Sequence, residues 1–278
     1  ADSRLHQKVH YRGLRSNVRN GAEFVCNSHT TRASLVTLFP ELENRAHVVH
    51  CAVTDAFHPD GDMDLNQILV QRTNYDLVDG LGSGKGISEF SGFLKSRVTP
   101  EYFISVGTME PRKNYSVLIS AWERYRSETG KDVKLVLVAN PGWSSEQTLL
   151  RLKQHMLSGN AYVLANVPLF ELRKLYTNAR ALIVASVSEG FSYSGIEAMK
   201  CGTQVIASDI PCHREVYGSD VHYFNPYATE ELTATMLKLD DVDGAKALQM
   251  VESNLTFAQR YSTDSIGHQW SQLLDDLG

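Results

Sequence analysis

Two glutamates, Glu189 and Glu197, are separated by seven residues and follow an apolar segment, residues 179–186. The apolar segment predicts a buried strand, so Glu189 falls in the loop at its carboxyl end and Glu197 in the first turns of the next helix. Ligands of an open α/β sheet bind at this edge. The helix N-terminus favours a phosphate, and carboxylates accept hydrogen bonds from sugar hydroxyls. The pair therefore predicts a site for a nucleotide sugar.

Two basic residues, Arg112 and Lys113, come just after another predicted strand, at the same edge of the sheet. When a sugar leaves a nucleoside diphosphate, negative charge grows on the diphosphate, and preorganised cations stabilise that charge. Arg112 and Lys113 can supply two cations in place of a metal. The backbone amides around Tyr193 and Ser194 add donors at the helix start, and Gly195 lets a phosphate approach closely. Together they predict a diphosphate subsite.

Each of these side chains also has an ordinary structural explanation. Glu189 can be a solvated loop residue, and Glu197 can complement the positive end of the helix dipole. Arg112 and Lys113 can be surface charges on a turn. We favour the ligand site, because acids and bases occur together at the carboxyl ends of strands.

From residue 101 onward, apolar strand patterns alternate with helical ones, which predicts an α/β fold with a doubly wound, Rossmann-like parallel sheet. The predicted helices include one capped by Asn114 and ended by Gly130. A terminal amphipathic helix starts near Ser262 and turns Ile266, Trp270 and Leu273 or Leu274 inward. The six predicted strands are residues 102–106, 133–138, 162–164, 181–185, 204–207 and 221–224.

The first 58 residues predict one βαβ unit, with strands at residues 22–26 and 47–53 and a helix capped by Ser28. A basic helix precedes the unit. One βαβ unit cannot bury both faces of its sheet, so it needs strands from elsewhere. Residues 59–99 are polar, and we interpret them as a connection with a poorly packed insertion. The glycine-rich stretch at residues 80–86 lacks the spacing of a phosphate loop and predicts a flexible linker.

Composition excludes several classes of function. The 278 residues carry a formal net charge of −5, which argues against a broad nucleic-acid surface. No apolar run is long enough to cross a membrane. The four cysteines form no CxxC pair and predict reduced thiols in a cytoplasmic protein. His47 and His50 fall on opposite faces of a predicted strand, so no metal site is predicted there. The start lacks an initiator Met and a signal sequence, so we expect a piece of a longer protein.

Three segments, residues 107–114 (GTMEPRKN), 189–202 (EGFSYSGIEAMKCG) and 203–216 (TQVIASDIPCHREV), resemble the donor-binding domain of retaining GT-B glycosyltransferases of the GT4 type. Residues 27–59 are similar to the last βαβ unit of the acceptor-side domain in that family. The resemblance implies four parts, namely an acceptor-side remnant at 1–58, a linker or insertion at 59–99, the donor domain at 100–262 and a crossover helix at 263–278.

The resemblance also implies roles for individual residues. It assigns Glu197 to the two ribose hydroxyls and places Glu189 near hydroxyls of the transferred sugar, with Glu189, Arg112 and Lys113 as the catalytic set. Donor contacts are expected from Gly107. The base should lie over residues 140–143 or residues 165–167, and in the family backbone groups near the second segment, which includes Val167, contact it.

Two departures from the family pattern stand out. Thr108 stands where the family often has an arginine that contacts the second phosphate. Arg112 is therefore expected to take more of that role. Ser192, Tyr193 and Ser194 stand where Gly-Leu-Pro is typical.

The family implies a retaining, metal-independent transferase. It moves a sugar from a UDP- or GDP-sugar to a glycan or lipid-linked acceptor, with no further cofactor. The turn at residues 111–114 favours a mannosyl-type GDP donor by analogy with the family. The alternatives are a GT-B epimerase or phosphorylase and a non-catalytic nucleotide-sugar binding module. The basic helix (Lys8, Arg12, Arg15, Arg19) suits either a solvated face or peripheral contact with the inner face of a membrane.

Two sequences, Asn114-Tyr115-Ser116 and Asn254-Leu255-Thr256, match the N-glycosylation sequon. Without a secretory signal we interpret both as coincidences.

Overall fold

A computed structural model describes residues 3–60, 65–74, 76–79 and 100–278. The strands are β1 (Phe24–Cys26), β2 (Ala46–Val48), β3 (Tyr102–Val106), β4 (Lys134–Val138), β5 (Ala161–Leu164), β6 (Ala181–Val184), β7 (Val205–Ser208) and β8 (His222–Phe224). The helices of the first part of the chain, before residue 100, are α1 (Ser3–Arg19), α2 (His29–Leu38), α3 (Leu65–Arg72) and α4 (Asp76–Asp79). Those of the second part, from residue 100 onward, are α5 (Tyr115–Thr129), α6 (Glu146–Leu157), α7 (Leu169–Thr177), α8 (Tyr193–Lys200), α9 (Pro211–Tyr217), α10 (Thr229–Asp240), α11 (Gly244–Ala258) and α12 (Thr263–Leu277). Short 3₁₀ turns occur at Pro40–Leu42, Pro111–Lys113 and Gln259–Tyr261.

The second part contains a six-stranded parallel sheet in the order β5-β4-β3-β6-β7-β8. Successive residues of each strand are buried on opposite faces of the sheet. Ile104 packs with Leu182 and helices α7 and α8, whereas Phe103 packs with Trp122 of α5 on the other side. Covering both faces is what an all-parallel sheet requires. The predicted doubly wound α/β fold is confirmed.

The first part has a smaller sheet, in which β1 pairs with β2 in parallel. The predicted helix cap is present, because the Ser28 hydroxyl accepts a hydrogen bond from the amide of Thr31 at 3.0 Å. The predicted strand at residues 47–53 is wrong in length. Pairing with β1 ends at Val48, and the chain then continues as an irregular segment toward the larger sheet. Within the described ranges, no helix combines the length and the apolarity needed to cross a bilayer.

The predicted connection at residues 59–99 is partly structured. Helix α3 buries Leu65, Ile68 and Leu69 in the same core as β3 and β6, so this segment is not poorly packed. Arg72 at its end forms a two-pronged ion pair with the buried Glu171 of α7, at 2.6 and 2.7 Å. The pattern missed α3 because polar residues flank a short apolar face. The glycine-rich stretch at residues 80–86 lies outside the described residues.

Two further predictions need correction. Asn114 stands at the N-cap of α5 with a left-handed backbone, but its side chain does not cap the helix. Its amide nitrogen instead donates to the carbonyl oxygens of Ala185 at 3.2 Å and Pro226 at 2.7 Å, which ties together the loops after three strands. On α12, Ile266 is buried as predicted, whereas Trp270 is 42% exposed because it borders an open groove.

Candidate nucleotide-sugar site

The predicted site residues lie where the order of the large sheet reverses. Strands β3 and β6 are neighbours, yet the chain passes from β3 to β4 and β5 on one side and from β6 to β7 and β8 on the other. The loops that leave β3 and β6 therefore diverge and open a crevice at the carboxyl edge. They meet at its floor, where the Val187 amide donates to the Arg112 carbonyl at 2.9 Å.

Arg112 and Lys113 are positioned by a 3₁₀ turn that starts at Pro111. The Lys113 side chain runs back over Gly107, the first residue after β3. A Cβ at residue 107 would lie 3.2 Å from Lys113 Cε, and the residue has a φ of +148°. Both facts favour glycine. Gly107 therefore lets Lys113 reach across the strand end, a structural role beside the donor contact that the resemblance implies.

Glu189 joins these two cations into one cluster. Its Oε1 accepts hydrogen bonds from Lys113 Nζ at 2.7 Å and from the Ser186 hydroxyl at 2.8 Å, and its Oε2 pairs with Arg112 Nη1. The carboxylate is only 6% exposed. Burial alone would raise its pKa, but the charge of Lys113, the hydrogen bonds from Lys113 and Ser186, and the charge of Arg112 outweigh it. The pKa of Glu189 is therefore lowered, and the group is held ionised.

Arg112 connects the cluster to the next loop. Its Nη2 pairs with Glu110, whose second oxygen accepts a hydrogen bond from Trp143 Nε1 at 3.2 Å. Trp143 lies in the loop after β4 and is 66% exposed, and the Arg112 side chain is 40% exposed. The side chains of Trp143 and Arg112 are thus both bound to Glu110 at the carboxyl edge of the sheet. Sequence reasoning missed Glu110, although an acid two residues before an arginine was a usable signal.

Glu197 has a different environment. It lies in the second turn of α8, half-buried, and its Oε2 accepts a hydrogen bond from the hydroxyl of the fully buried Tyr176 at 2.9 Å. Burial raises the pKa of Glu197, and the Tyr176 bond opposes this only in part. The pKa values of the two glutamates of the motif are therefore shifted in opposite directions, lowered for Glu189 and raised for Glu197. Tyr176 was predicted as a helix residue of α7, and its bond to Glu197 was not foreseen.

The start of α8 holds three more predicted residues. Tyr193 is 46% exposed at the first helical position, and Ser194 behind it is buried. At Gly195 a Cβ would lie 2.2 Å from the ring of Tyr217 on α9. The missing side chain makes room for that ring, which explains the glycine without a ligand. Close approach of a phosphate to Gly195 stays a prediction.

Val167 lies between β5 and α7 at the same carboxyl edge, half-buried against the core. Its contact with a base also stays a prediction.

The βαβ unit reaches into the site through α2. Ser28 is fully buried, and its hydroxyl donates to the carbonyl oxygen of Gly190 at 2.6 Å. Thr31 Oγ1 adds a bond to the same oxygen at 3.3 Å. The carbonyl of Gly190, directly after Glu189, is thus held by the N-terminus of α2. The sequence predicted Ser28 as a helix cap but not its hydrogen bond to the loop that follows Glu189.

A carboxylate on helix α9, beside the large sheet, accepts hydrogen bonds from the N-terminus of α2. Glu215 of α9 accepts hydrogen bonds from the amides of His29 at 2.6 Å and Thr30 at 2.9 Å, one on each oxygen. His50 Nε2 lies 2.9 Å from Oε1. Burial raises the pKa of Glu215, but the bonds from His29, His50 and Thr30 exceed that effect, so the pKa is lowered. These bonds make this side of the junction polar and charge-assisted, whereas Val49, Val53 and Phe57 lie buried in the core of the large sheet.

The fold agrees with comparisons to known proteins. The family described as Glycosyl transferases group 1 matches residues 87–250, more than half of the chain. The chain belongs to this family.

Two curated relatives carry mannosyltransferase names. The chain is 37% identical over 131 residues to the "Serotype-specific mannosyltransferase WbdA" of Escherichia coli, covering 47% of this chain and 16% of that protein. It is 31% identical over 137 residues to the "O-antigen chain mannosyltransferase B" of Escherichia coli, covering 49% of this chain and 36% of that protein. The chain thus spans less than two thirds of either relative.

A solved glycosyltransferase from Rickettsia africae superimposes with a TM-score of 0.68 at 14% identity, covering 94% of this chain and 66% of that one. At this identity the likeness concerns the fold, which is of the GT-B type.

Proposed function

We propose that the chain binds a nucleoside-diphosphate sugar in this crevice and serves a retaining, metal-independent glycosyl transfer. One observation carries the proposal: Arg112, Lys113 and Glu189 form a single ion-pair cluster at the reversal point of the sheet, beside the start of α8. Cations at this edge suit a diphosphate, and the helix start adds amide donors.

Catalysis in this proposal depends on preorganisation. Glu189 holds Arg112 and Lys113 in place before a ligand arrives, so little reorganisation is needed when charge develops on the leaving diphosphate. Arg112 is the more exposed of the two cations and is expected to meet the diphosphate first. The leaving phosphate then assists the incoming hydroxyl on the same face of the sugar, as in the family, which retains the anomeric configuration.

We further propose GDP-mannose as the donor and a glycan or lipid-linked sugar as the acceptor. The mannosyltransferase names of the two Escherichia coli relatives support the sugar, and the second name, an O-antigen chain enzyme, supports a glycan acceptor. Glu197 is assigned to the ribose hydroxyls and Glu189 to hydroxyls of the sugar. Contact of the basic helix α1 with an anionic membrane stays a prediction.

Calorimetric titration of the chain with GDP-mannose, GDP, UDP-glucose and UDP tests the assignment. Wild-type protein should bind GDP-mannose more tightly than the UDP compounds. Glu197→Ala should weaken GDP and GDP-mannose alike, because it removes the ribose contact. Glu189→Ala should weaken GDP-mannose by about tenfold or more and change GDP less, since a lost charge-assisted bond is worth roughly 1.5–3 kcal/mol.

Glu252→Ala, an exposed acid on α11, is the control and should bind like wild type. Absence of binding to every nucleotide would contradict the proposed function. Equal losses of GDP and GDP-mannose in Glu189→Ala would contradict the division of roles between the two glutamates.

A further inference from the structure

Two imidazoles and a carboxylate converge where α2, the segment after β2 and α9 meet. One ligand atom from each of His29, His50 and Glu215 lies within 4.8 Å of the others. The two histidine rings stand edge to face, with centroids 5.9 Å apart. None of these residues belongs to the Arg112–Lys113–Glu189 cluster. Two neutral nitrogens and one anionic oxygen form the ligand set that Zn²⁺ takes in three-ligand sites, with a water in fourth place.

We propose that His29, His50 and Glu215 bind one Zn²⁺ ion, or a similar borderline metal, that links the βαβ unit to the donor domain. Mg²⁺ and Ca²⁺ are poor candidates, because both prefer oxygen ligands throughout. The proposal concerns an anchoring site and is independent of which nucleotide sugar the crevice binds.

The groups that surround the ligands already orient them. Glu215 Oε2 accepts hydrogen bonds from both the amide and the hydroxyl of Thr30, each at 2.9 Å, so the carboxylate cannot turn freely. The His50 ring packs edge to face against Tyr261, with centroids 5.6 Å apart. Fixed ligands with satisfied neighbours are what a metal site needs around it.

The movement required for binding is small. Zn²⁺ bonds of about 2.0–2.2 Å in a tetrahedron place ligand atoms roughly 3.4 Å from one another, so the wider distances in the cluster must shorten by at most about 1.4 Å. The His50 Nε2 and Glu215 Oε1 atoms, which are 2.9 Å apart, must separate slightly. His29 is exposed at the first position of α2, and rotation of its side chain can supply most of the shortening. The cost is the hydrogen bond between His50 and Glu215, which the metal replaces with two stronger bonds.

An ion can reach the site from solvent. An open groove of about 670 Å³ runs between α2 and the start of α9, and both His29 and Glu215 line it. The other lining residues are small or apolar: Thr30, Ala33, Ser34, Thr37, Leu38 and Pro211. Access, ligand type and ligand orientation are therefore all present.

Calorimetric titration of the full chain with Zn²⁺, repeated by absorption spectroscopy with Co²⁺, tests the proposal. Wild-type protein should bind one equivalent, and its melting temperature should rise with Zn²⁺ concentration, because the metal binds the folded state. His29→Ala and His50→Ala should each weaken the affinity by at least about tenfold, since even indirect changes around metal ligands cost about 10–100-fold. His29 is exposed, so its variant is expected to fold.

Two controls separate this site from others. His47 pairs with Glu23 on the same unit but, among the residues that the structure describes, belongs to no three-ligand group, so His47→Ala should bind like wild type. Cys51 is a free thiol next to His50, and Cys51→Ser should also leave binding unchanged. No binding at all, binding unaffected by either histidine variant, or binding lost with Cys51→Ser would each overturn the proposal.

Discussion

The two sheets of the molecule are built in different ways. Strands of the six-stranded sheet are covered on both faces, and Leu182 in β6 is 0% exposed. The smaller sheet has two strands, and Val25 in the middle of β1 is 41% exposed. Apolar burial is the main source of folding free energy, so most of the stability must come from the core around the six-stranded sheet.

The smaller unit also contributes contacts of another kind. Beside the buried Val49, Val53 and Phe57, it meets the larger part through polar bonds, such as Ser28 to Gly190 and the two α2 amides to Glu215. Lys200, 3% exposed on α8, adds bonds to the Val53 carbonyl at 2.7 Å and to Asp55 at 2.6 Å. Such bonds are weak in net free energy but strict in geometry. The comparison teaches that one part holds the fold and the other aligns the loop that carries Glu189.

The largest effect should come from equal truncations in the two parts. Leu182→Ala should lower the free energy of unfolding by roughly 2–5 kcal/mol, because it leaves a cavity in a closed core. Leu38→Ala, at an exposed leucine that ends α2, should stay within about 0.5 kcal/mol. Urea unfolding followed by circular dichroism measures both. Similar losses would break the link between closed packing around β6 and stability.

Gly195→Ala should cost roughly 1–3 kcal/mol, because its Cβ would overlap the ring of Tyr217 and force a shift of packed elements. Gly267→Ala is the matched control in α12, where a Cβ meets nothing within 4 Å. That change should raise the free energy of unfolding by about 0.5–1 kcal/mol, because alanine has the higher helix propensity. The same unfolding assay decides, and a neutral Gly195→Ala would show that α8 and α9 can move apart.

Ser28→Ala should act on both function and stability. It removes a helix cap worth about 0.5–2 kcal/mol and leaves the Gly190 carbonyl without its 2.6 Å donor. We expect slower sugar transfer or donor hydrolysis with a smaller change in affinity for GDP, because the Glu189 loop is misplaced while Arg112 keeps its pair with Glu110 and Glu197 keeps its place. Ser34→Ala, an exposed serine on the same helix, is the control. An unchanged rate would show that this loop needs no support from α2.

The smallest effect concerns pH. The lowered pKa of Glu189 means that its contribution to stability is present above the unfolded pKa, about 4.3, and is lost as pH falls through the folded value. The raised pKa of Glu197 has the opposite sign, with stability present at low pH and lost as pH rises. Glu189→Gln should therefore lower the melting temperature at pH 7 by about a few degrees, and Glu197→Gln should leave it unchanged or raise it. Melting curves between about pH 3 and pH 8 that show one sign for both variants would refute this.

Local patterns predicted most of the large sheet, because buried parallel strands are apolar runs and glycines such as Gly130 end helices visibly. The position of Arg112, Lys113 and Glu189 at one edge of the sheet was also expected, since all three follow strands, but their ion pairing was not. Side-chain partners far apart in sequence were not. Tyr176 finds Glu197, and Glu215 finds α2, through three-dimensional packing that no local spacing encodes.

The left-handed turn at Asn114 has a consequence for protein production. The amide nitrogen that donates to Ala185 and Pro226 is the same atom to which an oligosaccharide would be joined at the Asn114-Tyr115-Ser116 sequon. A chain that acquired a glycan there could not make both contacts, so the loops after β3, β6 and β8 would lose their common tie. Glycosylation at this sequon and native geometry of the crevice exclude each other, which favours bacterial expression over secretion from eukaryotic cells.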